Sequence, residues 1–384
     1  MAAIVAVLLG AESVGFGQSS DDESRTPSPP SWRVRGEYLH WWTNGNPLPP
    51  LVTTSPNGTP RTDSGVLGTP GVEVLYGGAT VDTGARSGGR VTMTYWAEDS
   101  ESTAFEFVGF YIGDDYQSGN FVRESQGVPL LSRPFFNAVS NQEDSELVAF
   151  PNVLAGRVTV NSYSEIYSGA ALVRHTIGWS DIGRIDFLGG YRYFKFRETL
   201  SIRENLESID QGGVIPLGTT TDLIDRFATG NDFHGAEMGF SAQYFFPMVT
   251  IEALAKVALG GAFRKAVISG DTTVAVPGLA PTTTPGGLLA LPTNAGAYTE
   301  ATFGVLPEFG LNTNINLSPN ATFVFGYTLI ILNDVLRTGS QIDRVVNTSQ
   351  IGGDPLAGPA RPAFHFNHSN LVLQGLNFGL DFAW

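Results

Sequence analysis

The residues of this chain that could do chemistry fall into two sets, a scattered one and a periodic one. His365 and His368 stand three apart, but a metal centre needs a third ligand and a clustered geometry. Asp114-Asp115 and Glu143-Asp144 offer paired carboxylates without the twelve-residue, glycine-centred pattern of a calcium loop. Ser164, His175 and His234 belong to no recognisable hydrolase motif, and a triad is defined by geometry. The expectation is a protein with no catalytic residue, no metal and no cofactor, and not an enzyme.

The periodic set is more informative. Charged residues recur at every second position of runs whose alternate positions are apolar. In 184–197, Arg184, Asp186 and Arg192 oppose Ile185, Phe187, Tyr191 and Tyr193. In 301–316, Glu308 and several asparagines oppose Phe303, Val305, Phe309 and Leu311. Near Ile251, Glu252 and Lys256 oppose Ala253, Ala255, Val257 and Leu259. The same split selects Arg33, Arg35, Glu37, Arg90, Glu106, Arg174, Glu237 and Asp381. A charge turned to hydrocarbon at mid-depth costs about 2–4 kcal/mol, so all these are expected to face a lumen. Seven are basic and seven acidic, so the lining is near neutral. It suits either a paired structural network that fills the bore or a solute-conducting pore of mixed lining.

Strands must position such a set. The chain ends on Ser369–Trp384, where Phe378, Leu380, Phe382 and Trp384 share one face with Val372 and Leu376, and small or polar residues hold the other. A chain that stops on an aromatic at the end of such a strand resembles the C-terminal assembly signal of outer-membrane barrels. Alternating runs precede it at 33–42, 90–96, 103–112, 163–178, 184–197, 232–246, 250–263, 299–317 and 322–331. Short turns at Glu98-Asp99-Ser100, Ser180-Asp181-Ile182, Pro247-Met248 and Ser318-Pro319-Asn320 alternate with five long connections rich in Gly, Pro and Thr. That asymmetry is expected of a transmembrane antiparallel β-barrel, all-β, with short inner turns and long outer loops. The count is about ten strands, and runs at 72–76 and 153–160 would raise it to twelve. The outer loops, 277–292 especially, read as solvated.

Composition agrees. Only 15% of residues are charged while 42% are hydrophobic, and no run of 18 apolar residues spans a bilayer as a helix. Cysteine is absent, which removes disulfides and thiolate metal sites. A net charge of -15 argues against nucleic acid as a partner. Residues 1–17 read as a signal peptide, with an apolar core at Ala2–Leu9 and Gly15 and Gly17 before the cut, though no Lys or Arg precedes the core. Residues 18–31 read as a disordered, Pro-rich leader, and 32–384 as the barrel.

Several segments together resemble the planctomycete family of putative beta-barrel porins. They are 36–42, Leu48–Pro56, Gly65–Gly71, Glu73–Gly78, Ser87–Trp96, Phe187–Phe196, Asp232–Phe240, Val305–Asp343 and the terminal QGLNFGLDFAW. The resemblance covers nearly everything from Trp32 to Trp384 and implies an outer-membrane barrel. The missing basic residues ahead of the apolar core are its main departure.

The expected partners are therefore the lipid bilayer and, through the last strand, the outer-membrane assembly machinery, with oligomers compatible. The expected location is the outer membrane of a diderm bacterium. The favoured activity is porin-like passive diffusion of small solutes. The alternative is a structural or surface-interaction (adhesin-like) barrel with a side-chain-plugged lumen.

Overall fold

The structure, a computed structural model, describes residues 31–96, 102–113 and 120–384. The expected signal peptide, all but the last residue of the leader, the Glu98-Asp99-Ser100 turn and Asp114-Asp115 lie outside the described residues.

Ten strands close into one antiparallel ring. In chain order they are β1 (Trp32–Thr43), β2 (Ala85–Trp96), β3 (Thr103–Ile112), β4 (Leu154–Ser180), β5 (Gly183–Ser208), β6 (Thr220–Phe245), β7 (Val249–Ala275), β8 (Gly296–Ser318), β9 (Ala321–Leu336) and β10 (His368–Ala383). Each pairs with its sequence neighbour, and β1 pairs with β10 from Arg33↔Ala383 to Thr43↔Leu373. The ring is sealed where Trp32 and Trp384 exchange both backbone hydrogen bonds at 3.0 Å.

Alternation explains the ring's two faces. Phe187, Tyr191, Phe240, Phe263, Phe309 and Phe378 point outward and are exposed, as are Phe382 and Trp384. Aromatic pairs mark both rims of this apolar band. Trp32 packs on Tyr95 at 4.7 Å and Trp179 on Phe245 at 5.6 Å on the short-turn side. Tyr193 packs on His234 at 4.9 Å on the other, where Lys195 and Arg197 begin a polar outer face. Such girdles flank the hydrocarbon band of membrane barrels.

Four strands are longer than the alternation predicted. β4 and β7 have 27 residues each, and β5 and β6 have 26. At about 3.3 Å per residue and a tilt of about 40°, these rise some 65–70 Å, against an apolar band of about 25 Å. More than half of each therefore stands outside the band. Residues 198–208 and 220–230, expected as loop, are strand, and the expected extra run at 153–160 is the upper end of β4. The other extra run became Glu73–Tyr76, which pairs with Val52–Thr54 in a small sheet with Leu131–Asn137 and Gln142–Ala149. Neither adds a strand to the closed ring, which among the described residues has ten; the short strands Phe121–Ser125 and Thr282–Pro285 pair onto β4 and β7 beside it. The small sheet caps the tall side of the ring. Beneath it lies an apolar core that includes Leu131, Phe135, Val160, Ile202 and Phe227.

The loop at 277–292 is not wholly solvated. Leu288, Leu289, Ala290 and Leu291 are buried in that core. Their turn is held because Asp225 Oδ1 accepts from Leu289 N at 3.1 Å and Ala290 N at 2.8 Å.

Candidate functional site: the lumen

Walking β5 upward from its short turn gives the order of the lumen. Arg184 and Asp186 come first, then Leu188, then Arg192, then Phe194 and Phe196, then Glu198, then Leu200 and Ile202, then Glu204. Adjacent strands repeat it, so charged and apolar tiers alternate along the bore.

The lowest tier is ionic. Asp381 accepts from Arg35 at 3.1 Å and lies 3.4 Å from Arg33. Arg35 also reaches Glu252 at 3.2 Å. Arg174 bridges Glu106 at 2.8 Å and Asp186 at 2.7 Å, and Arg184 donates to Asp186 at 2.6 Å. One step higher, Arg90 holds Glu37 through two parallel bonds of 2.6 and 2.7 Å. Arg192 and Lys256 share Glu308, at 2.9 and 3.4 Å, and Glu237, at 3.5 and 3.2 Å.

All fourteen residues selected from the sequence are thus paired inside the barrel, in four ion-pair groups. Twelve line a single cavity of about 80 Å³, and Arg192 and Glu237 are buried in its upper wall. That volume holds a few waters. Buried charges at these distances hold one another in place, and removing one partner strands the other.

The second tier is apolar and crosses the bore. Leu39, Trp41, Phe110, Phe194, Phe233, Leu306, Ile330 and Leu373 are buried together. It rests on the cations below, with Arg192 5.7 Å from the Phe110 ring centre and Arg90 5.9 Å from that of Trp41. Trp41 Nε1 donates to Asn377 Oδ1 at 2.7 Å, which fixes the indole. Gly375 makes room for that ring: a Cβ there would lie 2.5 Å from Trp41 Cδ1.

Above the apolar tier the chain itself enters the bore. β9 bends at a bulge between Leu332 and Val335, with Asp334 at φ 55°. The strap from Leu336 to Gln341 then runs inward. Arg337 binds Glu198 at 2.8 Å and lies 5.1 Å from the Phe196 ring centre. Thr338 N donates to Glu198 at 3.1 Å, and Asn46 Nδ2 donates to Thr338 Oγ1 at 2.8 Å. Higher still, Arg133 from the cap binds Glu204 at 2.5 Å and Asp225 at 2.7 Å. Glu146, directly across the cap hairpin from Arg133, is pushed well up by burial and by the Glu204 charge.

Sequence reasoning missed Arg133, Glu198, Glu204, Asp225 and Arg337. Glu198, Glu204 and Asp225 lie where the outward face of the wall is polar, so the apolar–polar contrast that exposed the lower network is absent there; Arg133 and Arg337 lie outside the wall strands, in the cap and the strap.

The scattered set does not assemble. Ser164 faces inward and accepts from Arg86, whereas His175 and His234 sit on the outer face against Thr103 and Tyr191. His368 contacts Glu300 at 2.5 Å, and Glu143 pairs with Arg344 at 2.9 Å. Among the described residues no group of three or more His, Asp or Glu is arranged to hold a metal.

Residues 32–384 match the family described as Putative beta barrel porin-7. Comparison with curated proteins finds no match. Among solved structures the chain is similar to the outer membrane protease OmpT from Escherichia coli, at 9% identity and TM-score 0.38, over 94% of this chain and 99% of that one. It is also similar to the translocator domain of the autotransporter NalP from Neisseria meningitidis, at 10% identity and TM-score 0.22, over 94% and 90%. A third is the P. putida toluene transporter TodX, at 8% identity and TM-score 0.19, over 94% and 91%. These likenesses are distant, and no function is carried over from them.

Proposed function

The chain belongs to the family described as Putative beta barrel porin-7, and on that premise we propose that it is an outer-membrane barrel sealed along its axis. Its work is then structural or adhesive, done by the tall external half and its cap, with the lumen serving as a plug. The observation that carries this reading is the apolar tier: Trp41, Phe110, Phe194 and Phe233 meet across the bore between two buried polar layers. A hydrated solute would have to shed its water to pass that tier, and the Glu198–Arg337 strap stands directly above it.

Export through a signal peptide into the envelope of a diderm bacterium, and assembly through Phe378, Leu380, Phe382 and Trp384, are part of the same proposal. Export rests on the apolar run Ala2–Leu9 of the sequence, and assembly on the exposed aromatic end of β10 and its closure against β1. No catalytic role is proposed, because among the described residues Ser164 faces inward while His175 and His234 sit on the outer face.

The family's description favours the other reading, passive diffusion of small solutes, which requires the apolar tier to part. Swelling of liposomes carrying the refolded chain, in sugars of graded size, separates the two. The sealed barrel predicts swelling at the protein-free rate. Size-dependent swelling would establish the conducting reading instead.

A further inference from the structure

A cleft of about 640 Å³ opens at the top of the tall half, between the β5–β6 connection and the cap. It lies above the Arg133 tier and outside the axial plug. Alternation builds one wall, because Leu206 and Thr221 are register partners on the inward face of β5 and β6, beyond Glu204 and Asp225. Ser145 and Leu147 of the cap hairpin add a second wall, while Glu146 between them turns the other way.

The β5–β6 connection, residues 209–219, borders the cleft. Its base is fixed, since Ile209 N donates to Val153 O at 3.1 Å and Gly218 N to Ser208 O at 2.8 Å. Its tip carries Val214 and Ile215, which line the cleft and are both exposed. Apolar side chains left bare at the rim of a cleft point to a ligand that covers them.

The lining holds three chemistries. Leu147, Val153, Leu154, Leu206, Val214 and Ile215 supply aliphatic area. Five hydroxyl side chains are spread among them, and that of Thr219, 5% exposed, has no hydrogen-bond partner among the described residues. Arg61, from the cap loop between Val52–Thr54 and Glu73–Tyr76, and Asp210 supply one charge of each sign. Asp210 Oδ1 accepts from Gly212 N at 2.9 Å, but among the described residues neither charge is in an ion pair.

A volume of this size suits a small organic ligand. A fatty acid would satisfy the aliphatic area and Arg61 but set Asp210 against an apolar chain. A nucleobase would find no aromatic ring to stack on. A short peptide answers all three chemistries at once. We propose that the cleft binds a short peptide with aliphatic side chains and free ends, its carboxylate at Arg61, its ammonium at Asp210 and its backbone among the hydroxyls. The site goes beyond the sealed-axis reading and stands whether or not the axis conducts.

The test is equilibrium dialysis of labelled trileucine against the refolded full chain in maltoside micelles, with protein-free micelles as the blank. Saturable retention is expected. Amidating the peptide's C-terminus or acetylating its N-terminus should each weaken it about fivefold, as suits ion pairs open to water. Arg61→Gln should make trileucine and its amide bind alike, and Asp210→Asn should do the same for trileucine and its acetylated form. Triglycine should not compete. Neither Arg61 nor Asp210 belongs to the buried core, and a heat-modifiability gel confirms folding of each variant. No saturable retention by the folded wild type, or retention unchanged by both substitutions, would overturn the site. Displacement by decanoate or triglycine as effective as by unlabelled trileucine would overturn its ligand.

Discussion

Asn231 and Leu336, 105 residues apart, exchange two hydrogen bonds inside the barrel. Leu336 N donates to Asn231 Oδ1 at 2.7 Å, and Asn231 Nδ2 donates to Leu336 O at 3.0 Å. The side-chain amide imitates the neighbouring strand that β9 loses when it turns inward. This pair fixes the point at which wall becomes plug.

Asn231→Leu leaves a buried backbone N–H and C=O of Leu336 unpaired, each worth about 1–3 kcal/mol. The expected result is a lower urea midpoint with an unchanged slope. Asn231→Asp, which can still accept from Leu336 N, should lose less. Equal midpoints for wild type and Asn231→Leu would show that the strap is not held there.

Arg337→Met strands the Glu198 carboxylate in the bore, at a cost of about 3–5 kcal/mol for breaking a buried pair. Pairing it with Glu198→Gln should recover much of that loss, because neither charge is then left alone. A double-mutant cycle from denaturant unfolding reads the coupling directly. Additive losses would mean the two side chains act independently.

Trp41→Ala removes the largest side chain of the apolar tier and leaves Asn377 Oδ1 without its indole donor. Large-to-small changes of this kind cost about 3–5 kcal/mol. The same variant should admit water to the tier, seen as faster amide exchange at Leu39 and Leu373. Unchanged exchange would place the seal elsewhere.

The cap should loosen as pH rises. Glu146 is pushed well up because it is buried beside Glu204, so the folded cap holds a proton that the unfolded chain gives up near the ordinary carboxylate range. Its contribution is fully present below that range and is lost as pH climbs through the raised value. Hydrogen exchange over 131–149 should accelerate with pH beyond its intrinsic dependence. Glu146→Gln, always neutral, should remove that excess. A wild-type profile matching Glu146→Gln would rule out the proton.

How much of this was legible before the structure depended on the membrane. Within the hydrocarbon band, Phe187 and Tyr191 alternate with Asp186 and Arg192, and that contrast marks the strand and the inward face together. Above the band, Thr199, Ser201 and Arg203 face water, while Leu200 and Ile202 face the core. The sign of the pattern inverts there, and the stretch reads as loop. The strap was hidden differently. Leu336–Gln341 has no period, and only the departure of β9 at Asp334 carries it inside. Leu288–Leu291 sits in a Gly/Pro/Thr-rich connection whose composition suggests solvent, although four consecutive apolar residues were a signal that something covers them.

Single-channel recording on the refolded chain in a planar bilayer tests the sealed axis most directly, with a heat-modifiability gel showing that the barrel is folded. The account predicts a silent wild type, and discrete steps once Trp41→Ala and Arg337→Met together remove the apolar tier and release the strap. Regular steps from the folded wild type, altered by Arg192→Ala or Glu308→Ala, would contradict it and make the charged tier the lining of an open pore.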